Sequence, residues 1–319
     1  MLVSSEDLAA RLDQLRAECR DPRAGVFGPG SWMWQINKEA VAFVGGGCAA
    51  LLQTAHPFVA HGVEDHSATK TDPLGRFVRT FDNVFALVFG DLEHALTSAR
   101  RVHAYHRKVQ GTIDEPEFSV SRGARYAAND PDALFWVAAT LVDTSIRVYE
   151  PTVRRLTLWE KDAYYESSRR FCWLFGIPDR AMPADWTAFE RYMERMVSPG
   201  SIVSVGRAAR DTAAYLLRPP RPALAPAWEW LRIMTAGLLP PRIRDEYRLH
   251  LSRADHATFR ASLLGLKGAV RALPPSLRYL PGYNDALRRI GKDEGTTTAH
   301  AVQHAWTRLI TAFGPRRAA

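Results

Sequence analysis

Histidines are crowded into one part of the chain. Of the ten histidines, six fall between residues 56 and 106: His56, His61, His66, His94, His103 and His106. Imidazole is the commonest protein ligand of metal ions near neutral pH. A lone histidine is more often a hydrogen-bonding residue of the fold than a ligand. The crowding favours the functional interpretation and indicates a metal-dependent site in this part of the chain.

His103 and His106 are the strongest candidate ligands in this group. They lie on a predicted helix, 92–109, and their three-residue spacing places both on one face. Two interpretations stay open: both bind one non-haem metal, or one binds haem iron while the other supports it. The sequence lacks an HExxH motif and the paired Glu-x-x-His motifs of di-iron bundles. A haem site needs only one axial imidazole, cations and apolar walls.

Two arginines and a threonine precede these histidines on another predicted helix, 73–89. Arg76 and Thr80 are four residues apart and share a face, and Arg79 is adjacent on that side. Guanidinium groups suit the recognition of carboxylates, including haem propionates. The threonine hydroxyl can bind an oxygen species or a carbonyl of its own helix. A surface arginine pair held in salt bridges is the alternative interpretation.

Polar residues also interrupt the apolar predicted helix 131–149. Thr140 and Thr144 share a face, with Asp143 close by. An aspartate in an apolar helix usually has a buried partner, so a structural ion pair is favoured over proton delivery. His300 and His304 are four residues apart on a further predicted helix, but they lack a third ligand, so ordinary structural roles are favoured.

Three consecutive glycines, Gly45, Gly46 and Gly47, lie inside the predicted helix 32–54. Each glycine costs a helix about 1 kcal/mol relative to alanine. The run lacks the preceding strand and the following lysine of a phosphate-binding loop. Close approach by another helix and close approach by a flat ligand therefore explain the run equally well.

Apolar residues recur at steps of three and four through most of the chain, which is the helical period. Alternating strand patterns are scarce. The sequence therefore predicts an all-α fold, a single large helical domain over residues 1–319 with a ligand pocket between helices. The predicted helices are 6–20, 32–54, 73–89, 92–109, 131–149, 160–175, 183–197, 203–217, 225–236, 242–251, 254–271, 283–290 and 299–313.

Composition narrows the class of protein and its location. Hydrophobic residues make up 46% and charged residues 24%, which is ordinary for a globular protein with a substantial core. The net charge of +8 is dispersed, and no zinc-finger or RNA-recognition signature accompanies it, so nucleic acid is not an expected partner.

The three cysteines form no CxxC pair, and no apolar run reaches the roughly 18 residues of a membrane span. The N-terminus lacks a signal-peptide pattern. We predict a cytoplasmic protein, with contact to a membrane surface left open.

Several segments together resemble the MpaB/rubber-oxygenase (latex clearing protein) catalytic family. They occur in the family's order and approximate spacing, and the resemblance is strongest over residues 35–200. The segments are GGGCAALLQTAHPFVAHGVEDHS, DPLGRFVRTFDNVFALVFGD, RVHAYHRKVQG, WVAATLVDTSIRVYE and residues 164–178, which end in LFGIP.

The resemblance implies an all-α fold that holds haem b between helices. By position, His106 matches the axial ligand of the iron, and His103 is the neighbouring histidine. Arg76 and Thr80 match residues on the distal side, where Arg79 also lies. His56 and His66 fall in motifs that look shared. We predict further contacts to the cofactor from His103, His56, Gly46, Thr140 and Asp143.

One position departs from the family pattern. Arg79 stands where rubber oxygenases have a lysine that can occupy the distal iron position. Because arginine stays protonated, it is a poor ligand, and we expect a five-coordinate or water-bound resting iron. The rubber enzymes also use an upstream glutamate as a base, for which Glu64 and Asp65 are the nearest carboxylates. Rubber itself is not the expected substrate of an intracellular protein.

The function expected from these observations is oxidation by a haem-b-dependent oxygenase or peroxygenase. The substrate would be an apolar, unsaturated or aromatic small molecule, and the oxidant O₂ or peroxide, with Arg76, Arg79 and Thr80 polarising the bound oxygen. A haem-binding sensor or carrier without turnover is the alternative. A non-haem metal enzyme that uses His103 and His106 is the third hypothesis. The substrate and the oligomeric state stay open.

Overall fold

The computed structural model describes residues 1–66, 83–115, 117 and 120–292. Helices dominate these residues, which confirms the predicted all-α fold. The α-helices are α1 (Ser5–Glu18), α2 (Trp32–Asn37), α3 (Gly46–Thr54), α4 (Pro57–His66), α5 (Leu92–His106), α6 (Pro131–Thr152), α7 (Leu158–Trp173), α8 (Trp186–Met196), α9 (Arg207–Leu216), α10 (Ala225–Leu238), α11 (Pro241–Glu246), α12 (Arg253–Ala272), α13 (Pro275–Arg278) and α14 (Pro281–Arg289). Residues 83–89 are also helical.

A short hairpin and three 3₁₀ turns complete the described architecture. Strands β1 (Gln110–Thr112) and β2 (Arg125–Ala127) pair antiparallel, with Gly111 opposite Tyr126. The 3₁₀ turns are Ala40–Gly45, Asp179–Ala181 and Pro222–Leu224. The prediction of one domain over residues 1–319 stays a prediction.

Side-chain caps explain where several helices begin. Asp130 accepts hydrogen bonds from the first-turn amides of α6, and Pro131 follows it at the first helical position, as predicted. Thr157 and Glu160 form the predicted capping box of α7. Ser4 with Asp7 does the same for α1, and fixes the N-terminal residues ahead of that helix.

The predicted continuous helix 32–54 is wrong, because the chain forms α2, the 3₁₀ turn Ala40–Gly45 and α3 in that range. The break occurs where Glu39 adopts an extended backbone and forms an isolated bridge with Tyr279. The Glu39 carboxylate is buried and binds Arg278. A contact distant in sequence therefore competes with local helix propensity and ends α2.

The glycine run lies where α3 meets α6 and α10. A Cβ on Gly45 would lie 2.5 Å from Thr144 Cγ2, and a Cβ on Gly47 would lie 2.1 Å from Thr235 Oγ1. Both distances are too short for any side chain, so the glycines permit close helix approach. The packing interpretation is confirmed at Gly45 and Gly47. Gly46 begins α3, and its contact with a cofactor stays a prediction.

The hydrophobic core runs through the crossing of α2, α6 and α7. Trp34 and Trp136 are fully buried, and their indole N–H groups donate to the Val88 and Leu52 carbonyls at 2.7 and 2.9 Å. The ring centroids of Tyr283, from α14, and Trp34 are 5.6 Å apart. A helix near the end of the described residues therefore packs on the core formed by the N-terminal helices. Within the described ranges, no helix combines the length and apolar character that crossing a membrane requires.

Candidate functional site

Helix α5 positions the two candidate ligands. Asp91 caps the helix by accepting a hydrogen bond from the His94 amide at 2.8 Å. The face that carries Ala95, Ala99 and His103 is buried, and α5 packs against α1. The helix ends at His106 and the chain turns directly into β1, so both histidines lie in the last helical turn.

His103 is buried, and it lacks hydrogen-bond partners on its ring. Its residue is 6% exposed, and neither ring nitrogen has a partner in the described part of the protein. Burial lowers the pKa of His103, with a smaller contribution from the nearby Arg107 charge. A buried polar group without a partner is costly, so these nitrogens fit a site that supplies one, such as a metal centre.

His106 is half-buried one turn further along the same helix. Burial lowers the pKa of His106 to about 4, and the neighbouring His103 contributes. The imidazole is therefore neutral at physiological pH. A neutral ring retains the lone pair that coordinates a metal, so this environment suits an iron ligand.

Both histidines line one cavity of about 430 Å³. The volume falls in the range of small-molecule and cofactor sites, roughly 300–1,000 Å³. Residues 2–5 form one wall, and the Val3 amide donates to the Asn129 carbonyl at 2.9 Å, which holds that wall in place. Val109 and Arg107 also line the cavity. This donor set fits a haem, which needs an imidazole, apolar surface and cations for its propionates.

The family model described as "ER-bound oxygenase mpaB/B'/Rubber oxygenase, catalytic domain" matches residues 33–269. The chain belongs to this family. No curated protein and no solved structure matched the chain. The match confirms the resemblance seen in the sequence, and it extends beyond the range 35–200 where that resemblance is strongest. Membership of the mpaB/rubber-oxygenase family establishes the oxygenase class, and the matched range includes His103 and His106.

The three predicted distal residues of this mpaB/rubber-oxygenase chain, Arg76, Arg79 and Thr80, lie outside the described residues. The described part stops at His66 and resumes at residue 83. Their roles stay predictions, as do those of His300 and His304, which also lie outside the described residues.

The two carboxylates predicted as tentative bases are both engaged. Arg207 donates two hydrogen bonds to Glu64, each at 2.9 Å. The Tyr126 hydroxyl donates to Asp65 at 2.5 Å, and burial together with this bond raises the pKa of the tyrosine. A base role for either carboxylate would require it to exchange these partners.

Three further predicted cofactor contacts lie away from the cavity of His103 and His106. Gly46 is on α3. The Thr140 hydroxyl donates to the Val137 carbonyl of its own helix at 2.8 Å. Asp143 accepts from Arg147 Nε at 2.5 Å, one turn along α6. Burial raises the pKa of Asp143, while the arginine opposes that rise. The favoured structural pair of Asp143 is thus present, with a partner on its own helix.

His56 and His66, from the apparently shared motifs, both make hydrogen bonds within the fold. His56 directly precedes α4, and its Nδ1 accepts from the Phe58 amide at 3.3 Å, which caps the helix. His66 Nε2 lies 3.2 Å from the Gln110 carbonyl and 3.2 Å from the Tyr126 hydroxyl. Neither residue lines the cavity of His103 and His106. Contact of His56 with a cofactor stays a prediction.

His56 makes stability depend on pH. Burial lowers the pKa of His56 from 6.5 to about 4. Because the folded pKa is the lower one, the neutral ring's contribution is complete above pH 6.5 and is lost as pH falls towards 4. In that window we expect the free energy of unfolding to fall by up to about 1.4 kcal/mol per pH unit. Urea denaturation at pH 7 and pH 5 measures the effect.

The matched control is His56→Asn, whose side-chain oxygen can accept the Phe58 amide hydrogen but does not titrate. The loss of stability between pH 7 and pH 5 should be smaller in this variant than in the wild type. Equal losses in the two proteins would contradict the assignment.

Sequence reasoning missed the N-terminal wall and Arg107. The wall could not be found, because no local pattern indicates that residues 2–5 approach the end of α5. Arg107 could have been predicted as a site residue, because it directly follows the candidate ligand His106 near the end of a helix.

Proposed function

We propose that this chain is a haem-b-dependent oxygenase with His106 as the axial ligand of the iron. Membership of the mpaB/rubber-oxygenase family supports the oxygenase class. The observation that carries the haem proposal is the pair of imidazoles in the last turn of α5, which line one cavity. The low pKa of His106 supports its assignment, because the ring keeps its lone pair. The resemblance, in which His106 matches the family's axial position, favours His106 over His103.

When bound, haem b supplies the activation of O₂ or peroxide that the side chains lack. His106 would hold the iron through its imidazole lone pair, and His103 would orient and support that side of the site. Arg107 would bind a haem propionate, because its guanidinium group is suited to carboxylates. The buried Val3 and Val109 would shield part of the cavity from water. Arg76, Arg79 and Thr80 would polarise oxygen on the distal side, as the resemblance implies.

We propose an apolar, unsaturated or aromatic small molecule as the substrate, and O₂ or peroxide as the oxidant. The matched family description includes a rubber oxygenase, and rubber is an apolar, unsaturated hydrocarbon, which supports such a substrate. A cytoplasmic location and the lack of a nucleic-acid partner belong to the same proposal, on the compositional grounds given above.

Titration of the purified full-length chain with haemin tests the proposal. We expect a Soret band that saturates at about one haem per chain. Steady consumption of O₂ or hydrogen peroxide with an aromatic alkene such as stilbene then separates an oxygenase from a haem carrier. Failure to bind haem, with a stoichiometric non-haem metal bound through His103 and His106, would overturn the haem proposal. Haem binding without turnover would favour a sensor or carrier.

A further inference from the structure

A second group of potential metal ligands lies outside the cavity of His103 and His106. His61 on α4, Glu115 and Glu117 each offer one ligand atom, and these atoms lie within 4.8 Å of one another. None of the three lines that cavity. His61 Nε2 and Glu117 Oε1 are already 2.9 Å apart.

Glu117 is the most constrained member of this group. Its side chain is only 3% exposed, and Oε2 has no hydrogen-bond partner within the described part of the chain. A Cβ on Gly206 would lie 2.4 Å from the Glu117 carboxyl, so this carboxylate rests directly on the backbone ahead of α9. A buried carboxylate oxygen without a partner costs free energy, and a cation at this position would remove that cost.

The other two ligands differ in exposure: His61 is buried, whereas Glu115 is partly exposed. The His61 side chain is 6% exposed, so its ring is held in place beside Glu117. The Glu115 side chain is 38% exposed and accepts from Arg207 Nε at 2.8 Å. Glu115 can therefore turn towards the two buried ligands, since the exposed Arg207 can keep its bonds to Glu64.

We propose that His61, Glu115 and Glu117 bind a divalent transition-metal ion such as Zn²⁺ or Mn²⁺. One imidazole and two carboxylates are ligands of these ions, whereas an imidazole is not part of the all-oxygen shell of Ca²⁺. Metal–ligand bonds of about 2.0–2.2 Å require ligand atoms roughly 3–3.5 Å apart. At 2.9 Å the atoms of the buried pair are close to that spacing, and the partly exposed Glu115 would turn towards them. The ion would replace the hydrogen bond between His61 Nε2 and Glu117 Oε1, and it would place a positive charge beside the unpartnered Oε2.

Titration of the chelator-treated, haem-free, full-length chain tests this site. Calorimetry measures Zn²⁺ binding, and electron paramagnetic resonance measures the free Mn²⁺ that remains. We expect one saturable site in the wild type and an affinity at least roughly tenfold lower in Glu117→Gln, which keeps the side-chain volume. The matched control is Asp211→Asn. Asp211 also pairs with Arg207, at 2.9 Å, but contributes no ligand, so this variant should bind like the wild type.

Two results would overturn the site: no saturable binding of either ion by the wild type, or equal affinity in the wild type and Glu117→Gln. If circular dichroism shows that Glu117→Gln is unfolded, the more exposed Glu115→Gln is tested by the same criterion. Haem binding, read from the Soret band, should be unchanged in these variants. A failure of the metal site is therefore distinguishable from a failure of the proposed haem function.

Discussion

His106→Ala is expected to abolish stoichiometric haem binding. After gel filtration of the haemin-treated variant, occupancy should fall from about one haem per chain to nearly none, because the axial bond to the iron is lost. Oxygenase turnover should disappear with it. The Soret absorption and the pyridine haemochrome spectrum measure the loss directly.

The controls for this experiment lie on the same helix. His94→Ala removes an exposed imidazole of α5 and should leave haem occupancy unchanged. His103→Ala removes the buried neighbour, so we expect weakened haem binding with an axial imidazole still in place. A His106→Ala protein that keeps stoichiometric haem and an unaltered spectrum would contradict the ligand assignment. Complete loss in His103→Ala alone would transfer that assignment to His103.

Arg278→Ala is expected to cost far more stability than the removal of an exposed charge. The Glu39 side chain is 2% exposed and accepts from Arg278 Nε and Nη2 at 2.8 and 2.7 Å. Removing the arginine leaves a buried carboxylate without this cation. The free energy of unfolding should therefore fall by about 3 kcal/mol, measured by urea denaturation.

An exposed ion pair provides the matched comparison. Arg16 and Glu93 are 47% and 66% exposed, so Arg16→Ala should cost no more than about 1 kcal/mol. The double variant Arg278→Ala with Glu39→Gln should recover part of the loss, because the uncompensated charge is gone. Equal destabilisation by Arg278→Ala and Arg16→Ala would show that the buried pair has no special role.

The parts of the fold that depend on neighbouring residues could be predicted from the sequence. Asp130 with Pro131 and Thr157 with Glu160 mark helix starts through bonds spanning two or three residues, and both starts are observed. The spacing of His103 and His106 is likewise a local helical property. The family could also be recognised from the sequence, because the order and spacing of its motifs can be compared without knowing which residues are in contact.

Features that depend on distant contacts could not be predicted. The end of α2 follows from Glu39 binding a side chain 239 residues away. Helix α4 was missed as a predicted helix, and it packs against α9, which lies far later in the chain. The pairing of His61 with Glu117 joins α4 to a segment 56 residues later. No periodicity within a window of ten or twenty residues carries such information.

The hydrogen bonds around Glu39 show that residues late in the chain complete the core formed by the first helices. The family match stops at residue 269, whereas Arg278, Leu280 and Tyr283 come after it. The Leu280 amide donates to the Lys38 carbonyl at 2.8 Å, and Tyr283 covers Trp34. A chain cut at residue 269 would lose the Tyr283 ring that packs on the Trp34 indole. The buried Glu39 carboxylate would also lose Arg278. Within the described residues, the core around Trp34 and Glu39 is therefore completed by α13 and α14, which lie beyond the segment that the family model matches.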